Sequence, residues 1–177
     1  MVSARTPAAT LPGMVRASVE AHLGSRQVAR VVYGAIIGLT LIVALQGHPP
    51  PAGIMVGWLL GTALTVGLAE GYSDMLGIET SERHRVTRDQ LAHLWQDAAA
   101  VGYGAGSPSV FFVAAAVGLY DVETAFTVAT WSGLGLIGFY GYWAARFAGA
   151  GVGRALVHGT LVALVGGVLI VLKALLH

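Results

Sequence analysis

Residues 52–72 read AGIMVGWLLGTALTVGLAEGY, and Glu70 is the only charged side chain among them. A bilayer core about 30 Å thick requires roughly 20 apolar residues in an α-helix that crosses it, so this segment is predicted to be a transmembrane helix. Only 11% of the 177 residues are charged, against about 25% in a soluble domain. The charges lie in short runs between apolar stretches of similar length, which predicts an all-α polytopic membrane protein.

Four further apolar stretches flank this segment, one before it and three after it. The chain is therefore predicted to be a membrane helix bundle with five transmembrane helices. The run Pro49-Pro50-Pro51 ends the first span, because proline cannot continue a helix. The predicted spans are residues 28–46, 52–72, 91–120, 122–146 and 154–176.

Two features at the ends of spans are predicted from local sequence. Ser107-Pro108 interrupts span 3, either as an ordinary proline kink or as a break that exposes backbone carbonyls to a cavity, as in transporters. Asp121 immediately precedes span 4, and Glu123 lies in its first turn. At the start of a helix, acidic side chains cap the backbone and interact favourably with the helix dipole.

Residues 1–27 are predicted to form a separate N-terminal region before a membrane domain of residues 28–177. Residues 1–12 are rich in Ala, Thr and Pro, which is typical of a disordered tail. Residues 13–27 alternate apolar and polar side chains at nearly helical spacing, and this pattern indicates a short interfacial helix. The region has no apolar core segment of a cleavable signal peptide, so span 1 is expected to act as the membrane signal.

Arginine and lysine predict the orientation of the spans. Arginines precede span 1, lie between spans 2 and 3, and flank the turn before span 5, whereas the links after spans 1 and 3 contain neither Lys nor Arg. With five spans, every basic residue except Lys173 falls on one side. Because basic residues are retained in the cytoplasm, the N-terminus is predicted to be cytoplasmic. The Gly- and Ala-rich composition is typical of a GC-rich bacterial genome, and so indicates the bacterial cytoplasmic membrane.

Ionisable side chains cluster at the predicted inner ends of three spans. Glu70 and Asp74 are four residues apart and share a helix face, as do His93 and Asp97; His158 lies about one turn into span 5. Carboxylates and imidazoles at membrane depth are usually functional. Glu70, Asp74, His93 and Asp97 are therefore predicted metal ligands, because oxygen and imidazole ligands suit Fe(II), Mn(II) and Zn(II). Glu70 and His158 are also candidates for a proton relay.

A structural role for the same side chains is the alternative. Groups at a helix end lie among the lipid headgroups, where charge is tolerated, and the carboxylates can pair with arginines. The partners expected from sequence are Arg83, Arg85 and Arg146. His158, taken alone, is typical of a hydrogen bond that packs one helix against another.

The 25 glycines lie largely within the predicted spans. GxxxG spacing occurs at Gly34 and Gly38 and again at Gly57 and Gly61, and small residues let helix backbones approach closely in lipid. The spacing predicts either packing within the chain or a homodimer interface.

Several functional classes are not supported by the sequence. The chain has no cysteine, which excludes disulfides and thiolate chemistry. No phosphate loop, nucleophile elbow or HExxH motif occurs, so an enzyme is not expected and no resident cofactor is predicted. The formal net charge is +1 and there is no long basic segment, so a nucleic-acid partner is not expected either; the bilayer and other membrane subunits are the expected partners.

Two segments carry a resemblance to a known family. AEGYSDMLGIETSER at residues 69–83 and YWAARFAGAGVGRALVHGTLVALVGGVLIVLKAL at residues 142–175 resemble the vacuolar iron transporter family in pattern. The resemblance implies a five-span, dimeric exchanger of divalent cations, such as iron or manganese, for protons. Glu70 matches the Glu of the family's Gly-Glu-Tyr-like segment, and so would be the core ligand or proton carrier.

This chain departs from the family's pattern in ways that bear on function. The family's first span carries an acidic residue, whereas YGAIIGLTLIVAL at residues 33–45 has none. Many members insert a large, Glu-rich metal-binding domain where this chain has only the short segment 73–90. The absence of an acidic residue from span 1 favours the second predicted function, which is a non-transporting scaffold, assembly factor or small subunit of a larger membrane complex.

Overall fold

The structure is a computed structural model that describes residues 27–175. Within that range the chain is all-helical and contains no strand, which confirms the predicted all-α class. The tail and interfacial helix predicted for the N-terminal region lie outside the described residues, apart from Gln27, and so does residue 176 at the end of span 5. The helices are α1 (Gln27–Leu45), α2 (Ala52–Glu82), α3 (Arg88–Gly106), α4 (Ser109–Ala116), α5 (Val122–Phe147) and α6 (Val152–Leu175).

Two of these helices, α1 and α2, are each long and apolar enough to cross a bilayer. A third such segment is obtained if α3 and α4 are counted as one bent span. These helices indicate a membrane protein. α5 is 26 residues long, but it is rich in Gly, Thr, Trp and Tyr, which lower its mean hydropathy. The count of five spans therefore stays a prediction.

Helix α2 continues ten residues beyond the predicted end of span 2. Its 31 residues correspond to about 46 Å, more than the thickness of the hydrocarbon core. Residues 73–82, SDMLGIETSE, contain no proline and several good helix formers, so their polarity does not end the helix. The helix ends at Glu82, before Arg83, whose φ of 55° is left-handed. The extension keeps Asp74 on the same helix as Glu70.

The predicted interruption at Ser107-Pro108 is confirmed. α3 ends at Gly106, α4 begins at Ser109, and their axes differ by 47°. The N–H of Ser107 still donates to the carbonyl of Tyr103 at 2.9 Å, whereas Pro108 has no N–H to donate and so ends the regular hydrogen bonding of α3. Tyr103 remains on the straight part of α3.

Glycines bring α1 and α3 into backbone contact. A Cβ atom at Gly34 would overlap the carbonyl oxygen of Val101, and one at Gly38 would overlap that of Ala105. Packing within the chain is therefore confirmed for this GxxxG pair. At Gly57 and Gly61 of α2, by contrast, an added Cβ would meet nothing within 4 Å among the described residues.

The main apolar core lies at the end of the bundle opposite the ion pairs of Arg30, and a smaller buried cluster, which includes Val31 and Tyr140, lies nearer to Arg30. The core lies where α1 ends and where α2 and α5 begin, and the rings of Phe112 and Phe126 meet edge to face there at 4.9 Å. Large apolar side chains on the outer faces of the helices, such as Leu64 and Trp131, are 65% and 71% exposed. This distribution is typical of a bundle whose outer surface contacts lipid. The fully buried core residues include Leu39, Ile42, Met55, Leu59, Phe112, Phe126 and Ile137.

Candidate functional site

Arg30, in the first turn of α1, joins carboxylates from two other helices. Its guanidinium forms an ion pair with Glu70, and its Nη2 donates to Oδ2 of Asp74 at 2.5 Å. The same Nη2 lies 3.9 Å from Oδ2 of Asp97 on α3. These four side chains, which we call the Arg30 network, connect α1, α2 and α3 at one end of the bundle.

Local sequence explains why these side chains meet. Glu70 and Asp74 are one helical turn apart, so the uninterrupted α2 presents both carboxylates on one face. The close packing of α1 on α3 at Gly34 brings the N-terminal turn of α1 towards Asp97. A second close approach, of Gly67 to the backbone of Ala98, holds α2 against α3. Small residues thus set the helix spacing at which a single Arg side chain reaches three acids.

The Arg30 network carries excess negative charge. When all four groups are ionised, three carboxylates and one guanidinium leave a formal charge of −2. The four side chains are between 23% and 31% exposed, so they are only partly screened by solvent. Such an arrangement attracts cations, and any cation that enters must compete with Arg30 for the carboxylate oxygens.

The two predicted histidines are not part of this network. His93 is exposed on α3 and His158 is exposed on α6. Within residues 27–175 no three His, Cys, Asp or Glu side chains form a group arranged to hold a metal ion. The structure therefore brings together three of the four predicted metal ligands, Glu70, Asp74 and Asp97, through an arginine and without an imidazole.

The partner of the carboxylates differs from the arginines expected from sequence. Arg83 and Arg85 lie in the link between α2 and α3, outside the network. The Nη1 of Arg146 donates to the carbonyl of Ala150 at 2.8 Å and so closes the end of α5. The sequence did contain a signal for Arg30, because it is the only charged residue in the first turn of α1 and lies at the predicted depth of Glu70.

Side-chain caps fix where α3 and α5 begin. Thr87 and Gln90 form a capping box at the start of α3. Asp121 accepts hydrogen bonds from the N–H and the hydroxyl of Thr124, at 2.6 and 3.0 Å, which confirms its predicted role as a cap. The Thr124 N–H and then its hydroxyl hold the pKa of Asp121 below its ordinary value.

Two clefts between the helices differ in the side chains that line them. The cleft between α2 and α3, of about 190 Å³, is lined mainly by apolar side chains that include Leu68, Met75 and Trp95. The cleft between α1, α3 and α5, of about 470 Å³, has both polar and apolar side chains in its lining. The polar ones are Gln27, Gln96, Tyr103 and Tyr140, and the apolar ones are Val31, Ala99 and Ala100.

Comparisons of the chain with protein-family models, with curated proteins and with solved structures find no match. The resemblance of residues 69–83 and 142–175 to the vacuolar iron transporter family therefore stays a prediction.

Proposed function

We propose that this chain is a five-span membrane protein of the transporter type, with a cytoplasmic N-terminus, that moves a divalent cation in exchange for protons. The distribution of Arg and Lys supports the orientation, because it leaves the Arg30 network at the cytoplasmic end of the bundle. The two long apolar helices and the bent pair support a membrane location. Iron and manganese are the cargo that the family resemblance implies.

The observation that carries this proposal is the convergence of three carboxylates on one guanidinium. Ionisable side chains at membrane depth are costly and usually belong to ion or proton paths. One carboxylate balances the positive charge of Arg30, and the other two leave the Arg30 network with a formal charge of −2. That remaining negative charge can bind a cation. Arg30 acts in this proposal as a resident cation that holds the site when cargo is absent.

Exchange then follows from competition for the same oxygens. A divalent cation displaces the guanidinium and takes carboxylate oxygens of Glu70, Asp74 and Asp97, which are ligands that Mn(II) and Fe(II) accept. Protonation of those carboxylates weakens their hold on the cation and releases it. The ligand set is thus completed only when Arg30 moves away.

Uptake of Mn²⁺ into proteoliposomes tests the proposal. Glu70→Gln removes one negative charge with little change of shape, and we expect uptake to fall by about tenfold or more, a size typical of a lost metal contact. Glu123→Gln is the matched control, because it makes the same change in an exposed carboxylate at the start of α5. Equal uptake by wild type, Glu70→Gln and protein-free liposomes would contradict transport.

A non-transporting scaffold or subunit is the second candidate, and the same ion pairs favour it. Arg30 satisfies carboxylates from α2 and α3, so the network could serve only to tie three helices together. The double variant Arg30→Glu with Glu70→Arg exchanges the charges of one pair and separates the two functions. A purely structural tie is expected to survive this exchange with folded abundance largely retained, whereas a cation site is expected to lose uptake even when the protein folds.

A further inference from the structure

Four of the seven residues that line the cleft between α1, α3 and α5 have polar side chains, and the other three are the apolar Val31, Ala99 and Ala100. The Nε2 of Gln27 lies 3.4 Å from the Oε1 of Gln96, and Tyr103 and Tyr140 border the same cleft. Amides and phenols donate and accept hydrogen bonds, so their presence favours water in this cleft. Its volume of about 470 Å³ is enough for several water molecules.

This cleft begins at the level of the Arg30 network along α1 and α3, although no side chain of the network lines it. Gln27 lies one helical turn before Arg30 on α1, and Gln96 immediately precedes Asp97 on α3. Tyr103 lies six residues beyond Asp97, which corresponds to about 9 Å along the helix. Along the helix axes, the polar side chains of the cleft therefore start at the level of the carboxylates and extend towards the middle of the bundle, with Val31, Ala99 and Ala100 between them.

We propose that this cleft is a hydrated vestibule through which small inorganic cations reach the Arg30 network from the cytoplasmic end. The identity of its cargo rests on the proposed transport function, whereas its hydration does not. Amide and phenol oxygens replace water around an entering cation, and the formal charge of −2 beside them favours cations over anions.

The absence of cysteine in the chain gives a direct test with engineered thiols. Gln96→Cys and Tyr103→Cys place a thiol in the vestibule. Leu64→Cys places one in a second apolar cleft between α2 and α3, of about 220 Å³. The control is matched in depth and exposure. Leu64 lies six residues from Glu70, as Tyr103 does from Asp97, and the two side chains are 65% and 56% exposed.

Water-soluble methanethiosulfonate reagents are applied to the variants in membrane vesicles whose cytoplasmic face is accessible. Because a thiol in apolar surroundings stays protonated and unreactive, we expect Tyr103→Cys to react about tenfold faster than Leu64→Cys or more. The cationic reagent is expected to react several-fold faster than the anionic one at Gln96→Cys, and Mn²⁺ alone is expected to slow that reaction.

Equal and slow reaction at Tyr103→Cys and Leu64→Cys overturns the vestibule, provided that both variants are recovered folded. Gln96→Cys serves the same purpose if Tyr103→Cys does not fold, since Gln96 is exposed on α3. Fast labelling of Tyr103→Cys without any Mn²⁺ uptake by the wild type supports the vestibule and contradicts the proposed transport, so the two failures are distinguishable.

Discussion

Arg30 donates a hydrogen bond to Asp74 at 2.5 Å, across 44 positions of sequence. This contact, with the ion pairs to Glu70 and Asp97, makes Arg30 the only positive charge that residues 27–175 contribute to a cluster that is otherwise acidic. Its removal leaves three carboxylates close together, and their mutual repulsion acts on three helices at once.

Arg30→Gln is therefore expected to lower the thermal stability of the purified protein. The partly exposed network is worth about 1–2 kcal/mol after allowance for solvent screening, and the loss is measured by thermal unfolding in detergent. Adding Asp97→Asn to Arg30→Gln relieves part of the repulsion and is expected to restore some of that stability. Arg154 is an exposed arginine of α6 outside the network, and Arg154→Gln is expected to have little effect on thermal stability. A loss of stability equal to that of Arg30→Gln would contradict a specific role of Arg30.

Gly34→Ala is expected to destabilise the bundle because the new methyl group overlaps the carbonyl oxygen of Val101. Overpacking of a close helix contact costs about 1–3 kcal/mol, and unfolding of the variant in detergent measures it. Gly57→Ala is the matched control, since its methyl group meets nothing within 4 Å among the described residues and improves helix propensity. If Gly57→Ala proved as damaging as Gly34→Ala, the exposed face of α2 would have to be covered in the folded protein.

The helices were largely predictable from the sequence, because apolar length and proline are local signals. The break at Ser107-Pro108 needed only the missing N–H of proline. Helix α2 continues ten residues beyond the predicted end of span 2, since polarity marks where a helix leaves lipid and does not stop hydrogen bonding along its backbone. The helix continues until Arg83 takes a left-handed conformation.

The acidic half of the site was predictable, and its positive partner was not. The spacing of Glu70 and Asp74 predicts a shared face within one helix, whereas pairing between helices depends on how closely α1 approaches α3. That distance is set by Gly34 and its partners in space. A lone Arg at the start of a span is also typical of a side chain that anchors the helix in the lipid headgroups. The sequence position of Arg30 therefore did not identify the carboxylates as its partners.

Asp121 is expected to make stability depend on pH in the acidic range. Hydrogen bonds from Thr124 lower the pKa of Asp121 in the folded state, so the folded protein favours the ionised form. The stabilisation is fully present above the unfolded-state pKa of about 3.9 and is lost as the pH falls through the lower folded-state value. Asp121→Asn retains a capping side chain and is expected to remove this part of the pH dependence of thermal unfolding. An unchanged pH profile in Asp121→Asn would assign the dependence to other groups.

The five-span topology predicts which links face the cytoplasm, and the absence of cysteine again allows single thiols to report it. Ser81→Cys, near the link between α2 and α3, and Ala148→Cys, after α5, are expected to be cytoplasmic. His48→Cys and Leu119→Cys, in the two links without Lys or Arg, are expected to face the other side. All four native side chains are exposed. In intact cells an impermeant thiol reagent is therefore expected to label only His48→Cys and Leu119→Cys, and to reach the other two after permeabilisation. Labelling of Ser81→Cys in intact cells would place the Arg30 network at the opposite surface, and cations would then have to enter it from outside the cell.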